Sequence, residues 1–473
     1  MQSRRNFLKQ ASVTSLGFMG LNYFACTPKD ASTGVSMLST ALGELKPDLQ
    51  QLFNLPEGFS LNVISRWKDP MNDGLLTPNR ADGMADFPGP DGKVILVRNH
   101  EISTGDLESG AYGESKEKLS GIASEAFYDY GKGENPCLGG TTTMVFNEEA
   151  QELESVYMSL AGTIRNCAGG PTPWGSWITC EETVERQGDN SNEQDHGYNF
   201  EVPATVDGGL VQPVPLKAMG RFNHEAVCVD PRTGIVYQTE DRGDGLIYRF
   251  IPNVPGELVQ GGKLQALALV ARESADMRNW EKTPGITVGE WMEARWIDLD
   301  KVESPEDDLR YRGFAAGAAR FARGEGMWFG EGELYFACTN GGSAEQGQVY
   351  RYQPSQHEGT DMEADAPGRL QLFVEPNDSK IVQNCDNLTV SPWGDVFLCE
   401  DHSDPRVIWL TKEGQIHHFA NNIGHPESEL AGVCFSPSGK TLFVSIQHVG
   451  LTVAITGPWE ETRQRIASAA TTA

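Results

Sequence analysis

Histidine is scarce in this chain, nine among 473 residues, and no His-x-x-x-His or paired-His zinc motif appears, which excludes the commonest zinc-hydrolase arrangements. Cys-x-x-Cys pairs are also absent. Cys228, Cys338, Cys399 and Cys434 sit within apolar runs and read as core thiols, with a disulfide between some pair left open in an oxidising compartment. No segment is long and apolar enough to cross a membrane. Basic residues are few: 38 Lys and Arg against 66 Asp and Glu give a formal charge of −28. That balance excludes nucleic-acid backbones and anionic lipid as main partners, since either would be repelled. The carboxylates are either neutralised by bound cations or spread over a solvated acidic surface.

What is present begins with "MQSRRNFLKQASVTSLGFMGLNYFAC", a basic start with paired Arg4 and Arg5 followed by a short, interrupted apolar stretch. Residues 1–26 therefore read as a twin-arginine export signal, and the route leads to the periplasm or the exterior. "YFAC" resembles a lipoprotein box with Tyr23 where Leu is usual, so a lipid anchor at Cys26 and an unanchored product both stay open. The expected division is then a linker over 27–50, one large domain over 51–460 and a C-terminal tail over 461–473.

Self-similarity decides the expected fold. "PDGKVILVRNHE", "TPWGSWITCEE", "PRTGIVYQTED", "GEGELYFACTN", "SPWGDVFLCED" and "SPSGKTLFVSI" share a Pro/Gly turn, a β-branched and aromatic run, and a polar end. Upstream of each lies another apolar run opened by a polar residue: "ADGMADF", "NCAGG", "HEAVCV", "GEGMWF", "CDNLTV" and "ELAGVCF". The unit is a hairpin whose two ends return to one side, with strands roughly 5 Å apart. Its repetition predicts an all-β, six-bladed β-propeller with long inter-blade insertions. "FSLNVIS" and "GLTVAI" are expected to pair and close the ring.

In such a ring the hairpin ends meet at one mouth. Cys167 would stand there with Glu181 and Glu182, Glu225 with Glu240 and Asp241, Glu325 with Asn340, Asp386 with Glu400 and Asp401, together with Glu101 and Glu429. Carboxylates so close must protonate or bind cations. Oxygen donors suit calcium or magnesium, and one thiolate among them suits iron. At any single position the plainer alternative is an acid capping a turn or an idle thiol. His100 and His224 read as hydrogen-bond supports, and Trp174, Trp177 and Trp393 as packing residues. Arg165, Asn166 and Arg323 are the nearest donors, and a guanidinium fork matches phosphate oxygens.

"RNHE", "GTIRNCAGGPTPWGSWITCEE", "GRFNHEAVCVDPRTGIVYQTEDRGDGLIYRF", "RFARGEGMWF", "NCDNLTVSPWGDVFLCED" and "AGVCFSPSGKTLFVSIQHVG" together resemble the PhoX family of bacterial alkaline phosphatases, in order and across nearly the whole chain. The resemblance implies a monomeric propeller that hydrolyses phosphate monoesters, with a cofactor of two ferric and three calcium ions. It implies that Cys167 binds iron, that Glu325 bridges iron, and that Arg323 and Asn166 contact the substrate phosphate. It further implies metal ligation among Glu181, Glu225, Glu240, Asp241 and Asp386, without assigning which ion each holds, and the hairpin ends add Glu101, Glu400 and Glu429 as candidate ligands. Two rivals stand beside it: a non-catalytic calcium-binding propeller used as an exported binding module, and a lactonase-like propeller enzyme with one calcium and no iron.

Overall fold

The computed structural model describes residues 38–133, 135–281 and 285–470. The expected export signal and Cys26 lie outside the described residues. Among the described residues no helix is long and apolar enough to cross a membrane.

The molecule is all-β and propeller-like. Each repeated unit forms the antiparallel hairpin expected of it, and the turns show why glycine recurs there. Gly92, Gly175, Gly234, Gly332, Gly394 and Gly439 all have φ between 72° and 88°, a left-handed conformation that a Cβ would strain. The first strand of each hairpin lies innermost. These are β1 (Ala81–Pro88), β2 (Asn166–Pro171), β3 (His224–Val229), β4 (Gly324–Gly330), β5 (Cys385–Val390) and β6 (Leu430–Phe435).

Each inner strand packs against the next, and β6 packs back on β1. Backbone approaches backbone so closely that small residues are required. A Cβ on Gly83 would lie 2.6 Å from Ala168 Cα, one on Gly170 1.9 Å from the Val227 carbonyl, and one on Gly326 2.5 Å from the Leu388 nitrogen. The ring is closed by the expected pair of strands, Ser60–Arg66 running antiparallel to Leu451–Thr456. Closure removes the exposed edges of an open sheet.

Among the described residues the sheets number five, where six blades are expected, because Trp291–Asp298 pairs with Gly262–Leu269 on one side and Arg369–Val374 on the other. This inserted strand fuses the sheets of β3 and β4 into one of ten strands. Apolar clusters fill the spaces between sheets. One of them joins Phe397, Trp409 and Phe419 to Phe435, Leu442 and Val444. The segment expected as a tail completes that cluster: Trp459–Ala470 is a helix, α1, that buries Trp459 and Ile466, with Trp459 stacked on Phe419 at 5.1 Å. The expected linker is partly structured too, since Lys46–Pro47 pairs with Phe53–Leu55.

Candidate metal centre

Every inner strand carries a β-bulge at its start, where two residues oppose one on the neighbouring strand. In β1 to β6 the first bulged residue is Asp82, Cys167, Glu225, Glu325, Asp386 and Gly432. A bulge bends the strand and re-aims its side chain. Here the repeated bulge turns five ligand-bearing side chains toward a common cup, and Gly432 fills the sixth place. Just before the bulge, Arg80, Arg165, Arg323 and Asn384 take left-handed φ of 50° to 53°. That conformation is uncommon for residues with a side chain and clusters at functional sites. It presents each carbonyl to the backbone N–H at the far end of the hairpin, Glu101 to Arg80 at 2.9 Å, Glu182 to Arg165 at 2.9 Å and Asp401 to Asn384 at 3.0 Å.

At the exit of each hairpin, successive side chains face opposite ways, as a strand requires. The residues paired with the strand starts are His100, Glu181, Glu240 and Glu400, all fully buried and turned away from the cup. Glu181 accepts the backbone N–H groups of Ile164, Gly197 and Tyr198, and meets His196 Nδ1 at 2.6 Å. Glu240 accepts the Tyr248 hydroxyl at 2.7 Å and the Leu246 N–H, and lies 3.5 Å from Arg310. Glu400 accepts Arg406 Nε at 2.6 Å and Nη2 at 2.7 Å. These three expected ligands thus find their partners within the blades, and the structure does not bring them to the cup. The next residues, Glu101, Glu182, Asp241, Asp401 and Gln447, face it instead.

Three groups result, each with ligand atoms within 4.8 Å of one another: Asp82, Glu101 and Glu429; Cys167, Glu182 and Glu225; and Glu225, Glu325 and Asp386. Glu225 belongs to two of them, so one carboxylate stands between two ion-sized positions. Asp82 joins the set although sequence reasoning did not select it, and Glu182, expected at the mouth beside Cys167, takes the place expected of Glu181 as a ligand. Asn166, expected at the substrate, is fully buried, accepting from Thr163 and donating to Thr179 at 2.9 Å, and does not reach the cup. Asn99 is likewise a brace, donating to the Cys167 and Ala168 carbonyls. His224 stacks on Phe222 at 3.6 Å and bonds the Gly220 carbonyl, so its hydrogen bond goes to the backbone and not to the neighbouring Glu225.

Two arginines tie the cup together. Arg165 reaches Glu101 at 2.8 Å and also contacts Glu182. Arg323 forks onto Asp241 at 2.7 and 2.9 Å, and its Nη2 lies 2.9 Å from Glu325. They do not neutralise the site. Burial, and then neighbouring carboxylates, push Glu225, Glu325, Asp82 and Glu429 well above the usual carboxylate range. Burial and Asp401 lift Asp386 to about 7, and burial lifts Glu182 to about 8 against the pull of Arg165. Burial and Glu225 push the Cys167 thiol up. A group of acids this unfavourable to ionise alone is suited to multivalent cations, hard ions at the all-oxygen groups and a transition ion beside the thiol.

Comparison with known proteins bears on the fold and on the family. PhoX of Pseudomonas fluorescens, solved in complex with vanadate, a transition state analogue, aligns with a TM-score of 0.62 and 18% identity over 86% of this chain and 96% of that one. The gluconolactonase XC5397 of Xanthomonas campestris aligns with a TM-score of 0.39 and 13% identity over 85% of this chain and 97% of that one. No curated protein sequence matches. Residues 40–450 match the family described as alkaline phosphatase PhoX. The chain belongs to that family.

Proposed function

We propose that this chain is a metal-dependent phosphomonoesterase of the PhoX type. The observation that carries the reading is Glu225, whose carboxylate is shared by a thiol-containing group and an all-carboxylate group, with Arg323 beside the second. In this reading Cys167, Glu182, Glu225, Glu325 and Asp386 would hold iron, and Asp82, Glu101 and Glu429 would hold calcium. The family resemblance supplies the expected numbers, two and three. Bound there, the ions would supply Lewis acidity toward a phosphoryl group.

The chain's own residues do the positioning. Asp241 and Glu325 engage Arg323 through Nε and Nη2, which leaves Nη1 to donate to a phosphoryl oxygen. Because the fork is held by Asp241, little rotamer freedom is lost on binding. Arg165, braced between Glu101 and Glu182, keeps two acidic groups at fixed separation. Burial of the cup floor excludes water around the reacting centre and strengthens each of these interactions.

The same proposal takes the ten-stranded sheet as two blades bridged by the inserted strand, which makes six blades in all, and takes the protein as an exported monomer acting on organic phosphate esters. Elemental analysis together with hydrolysis of a chromogenic phosphate monoester, with and without a chelator, tests it. Iron and calcium with chelator-sensitive hydrolysis are expected. Calcium alone with no hydrolysis would favour the binding-module rival.

A further inference from the structure

A second group of ligand-type side chains lies outside the cup, between two insertions. Asp129 and Cys137 come from the insertion that joins Lys93–His100 to Gly139–Asn147. Asn192 and His196 come from the one that joins Ser176–Glu181 to Asn199–Pro203. All four are at most 2% exposed. His196 Nε2 lies 3.3 Å from Asp129 Oδ2 and 3.9 Å from Cys137 Sγ, and Cys137 Sγ lies 3.7 Å from Asn192 Oδ1.

The His196–Asp129 separation matches a coordination shell, and the two sulfur separations, which are longer, lie within the 4.8 Å over which one ion can gather Asp129, Cys137 and His196. Bond lengths of about 2.0 Å to nitrogen or oxygen and about 2.3 Å to sulfur, at tetrahedral angles, put donor atoms roughly 3.3 to 3.6 Å apart. A charged imidazolium on a carboxylate would instead be expected at about 2.7 to 2.9 Å. Hydrogen bonds from the surroundings hold each of these side chains in place. Glu181 takes the Nδ1 side of His196 at 2.6 Å, which leaves Nε2 facing Asp129 and Cys137. Asn192 donates its amide nitrogen to Glu185 at 2.9 Å, which aims its oxygen at the thiol. Asp129 is fixed by the N–H groups of Gly131, Glu193 and Gln194. A carboxylate behind a ligating histidine is the usual supporting arrangement at metal sites.

We propose that Asp129, Cys137, Asn192 and His196 form a closed, four-ligand structural site for a divalent transition ion of the zinc class, separate from the cup. Binding displaces the Cys137 thiol proton and any proton on His196 Nε2 to solvent. The bound ion would tie the two insertions to each other and, through His196, to Glu181 at the exit of the hairpin that carries Glu182. The inference does not depend on the function proposed for the cup.

The test uses the full chain loaded with cobalt(II), whose thiolate charge-transfer absorption reports a coordinated cysteine. Cys167→Ala removes the cup thiol. A thiolate band that persists in Cys167→Ala and disappears in Cys137→Ser/Cys167→Ala is expected, with about one equivalent of zinc per chain lost in the second variant relative to the first. Absence of the band in Cys167→Ala, or equal zinc in the two variants, would overturn the site and leave a metal-free hydrogen-bonded bridge. Should Cys167→Ala fail to fold, Asn192→Leu in the otherwise native chain is compared with wild type. There about one equivalent less zinc supports the proposal and equal content refutes it.

Discussion

Glu181 and Glu182 are neighbours in sequence and point in opposite directions. Glu181 enters the protein, where His196 and three backbone N–H groups satisfy it. Glu182 enters the cup, where Arg165 and Asn223 contact it. Their substitutions should separate cleanly. Glu181→Gln disrupts a buried charge pair and is expected to cost about 3–5 kcal/mol of stability. Glu182→Gln is expected to lower the ion content and hydrolysis while leaving the ion-free protein no less stable, because it removes a carboxylate that burial already disfavours. Denaturant unfolding of chelated protein, paired with elemental analysis, reads both effects. Equal losses of stability from the two substitutions would contradict the opposed placement.

The pH dependence of the ion-free protein follows from the same burial. Glu182 is lifted from 4.5 to about 8 and Asp386 from 3.8 to about 7. Between the unfolded and folded values the folded chain binds more protons, so stability falls as pH rises. For these groups the fall begins near pH 4 and is complete above about pH 8. Chelated protein should therefore melt at a lower temperature at pH 8 than at pH 5. Loaded protein should lack that fall, since cations replace the protons and acidification displaces them. Calorimetry across this range checks both limbs, and a chelated protein that gains stability toward pH 8 would remove the electrostatic account of the cup.

Much of this was legible in the sequence, and the reason is geometric. A Pro/Gly turn between two β-branched runs fixes a hairpin, and a hairpin fixes which residues meet at its open end. Cys167, Glu225, Glu325 and Asp386 followed from that alone, as did Glu101 and Glu429. What did not follow was parity. The doublets Glu181-Glu182, Glu240-Asp241 and Glu400-Asp401 place an acid at a strand end without saying which member faces the ring. The signal was present in His100-Glu101, where the first member is an imidazole and the second an acid: read in register, it assigns the second member of every doublet to the cup. Asp82 was hidden because its run opens with Ala81, and only the bulge register aligns it with Cys167 and Glu225. The meeting of Cys137 with His196 carries no periodic signal at all, since it depends on how two irregular insertions fold against each other.

Arg323 offers a graded test of phosphate positioning. Arg323→Lys keeps a positive charge near Asp241 and Glu325 but loses the planar fork, so kcat/KM for a phosphate monoester is expected to fall about 10²–10³-fold, the range for removing one preorganised donor to a developing charge. Ion content should stay near wild type in this variant, because a cation still faces the two carboxylates. Arg323→Ala leaves Asp241 and Glu325 unpaired and is expected to change ion content as well. Steady-state kinetics with elemental analysis distinguishes them. Unchanged kcat/KM in Arg323→Lys would remove this residue from the proposed phosphate contact.

The ring itself can be probed at Gly326. A methyl group there would lie 2.5 Å from the Leu388 nitrogen, 2.7 Å from the Asp386 carbonyl and 2.8 Å from Asn387 Cα, all of them backbone atoms that cannot swing aside. Gly326→Ala must therefore push β4 away from β5 at the level of Glu325 and Asp386, two members of one ligand group. A loss of about 1–3 kcal/mol is expected from overpacking, together with weakened ion binding at that group. Gly175→Ala provides the contrast. Its φ of 85° makes the substitution strained, but nothing lies within 4 Å of the new methyl group and the turn is at the far end of its hairpin. A comparable loss of stability of about 1–2 kcal/mol is expected there, with hydrolysis and ion content unchanged in the folded fraction. If both substitutions left the ions equally well bound, close approach of the inner strands would not be what sets the spacing of the cup.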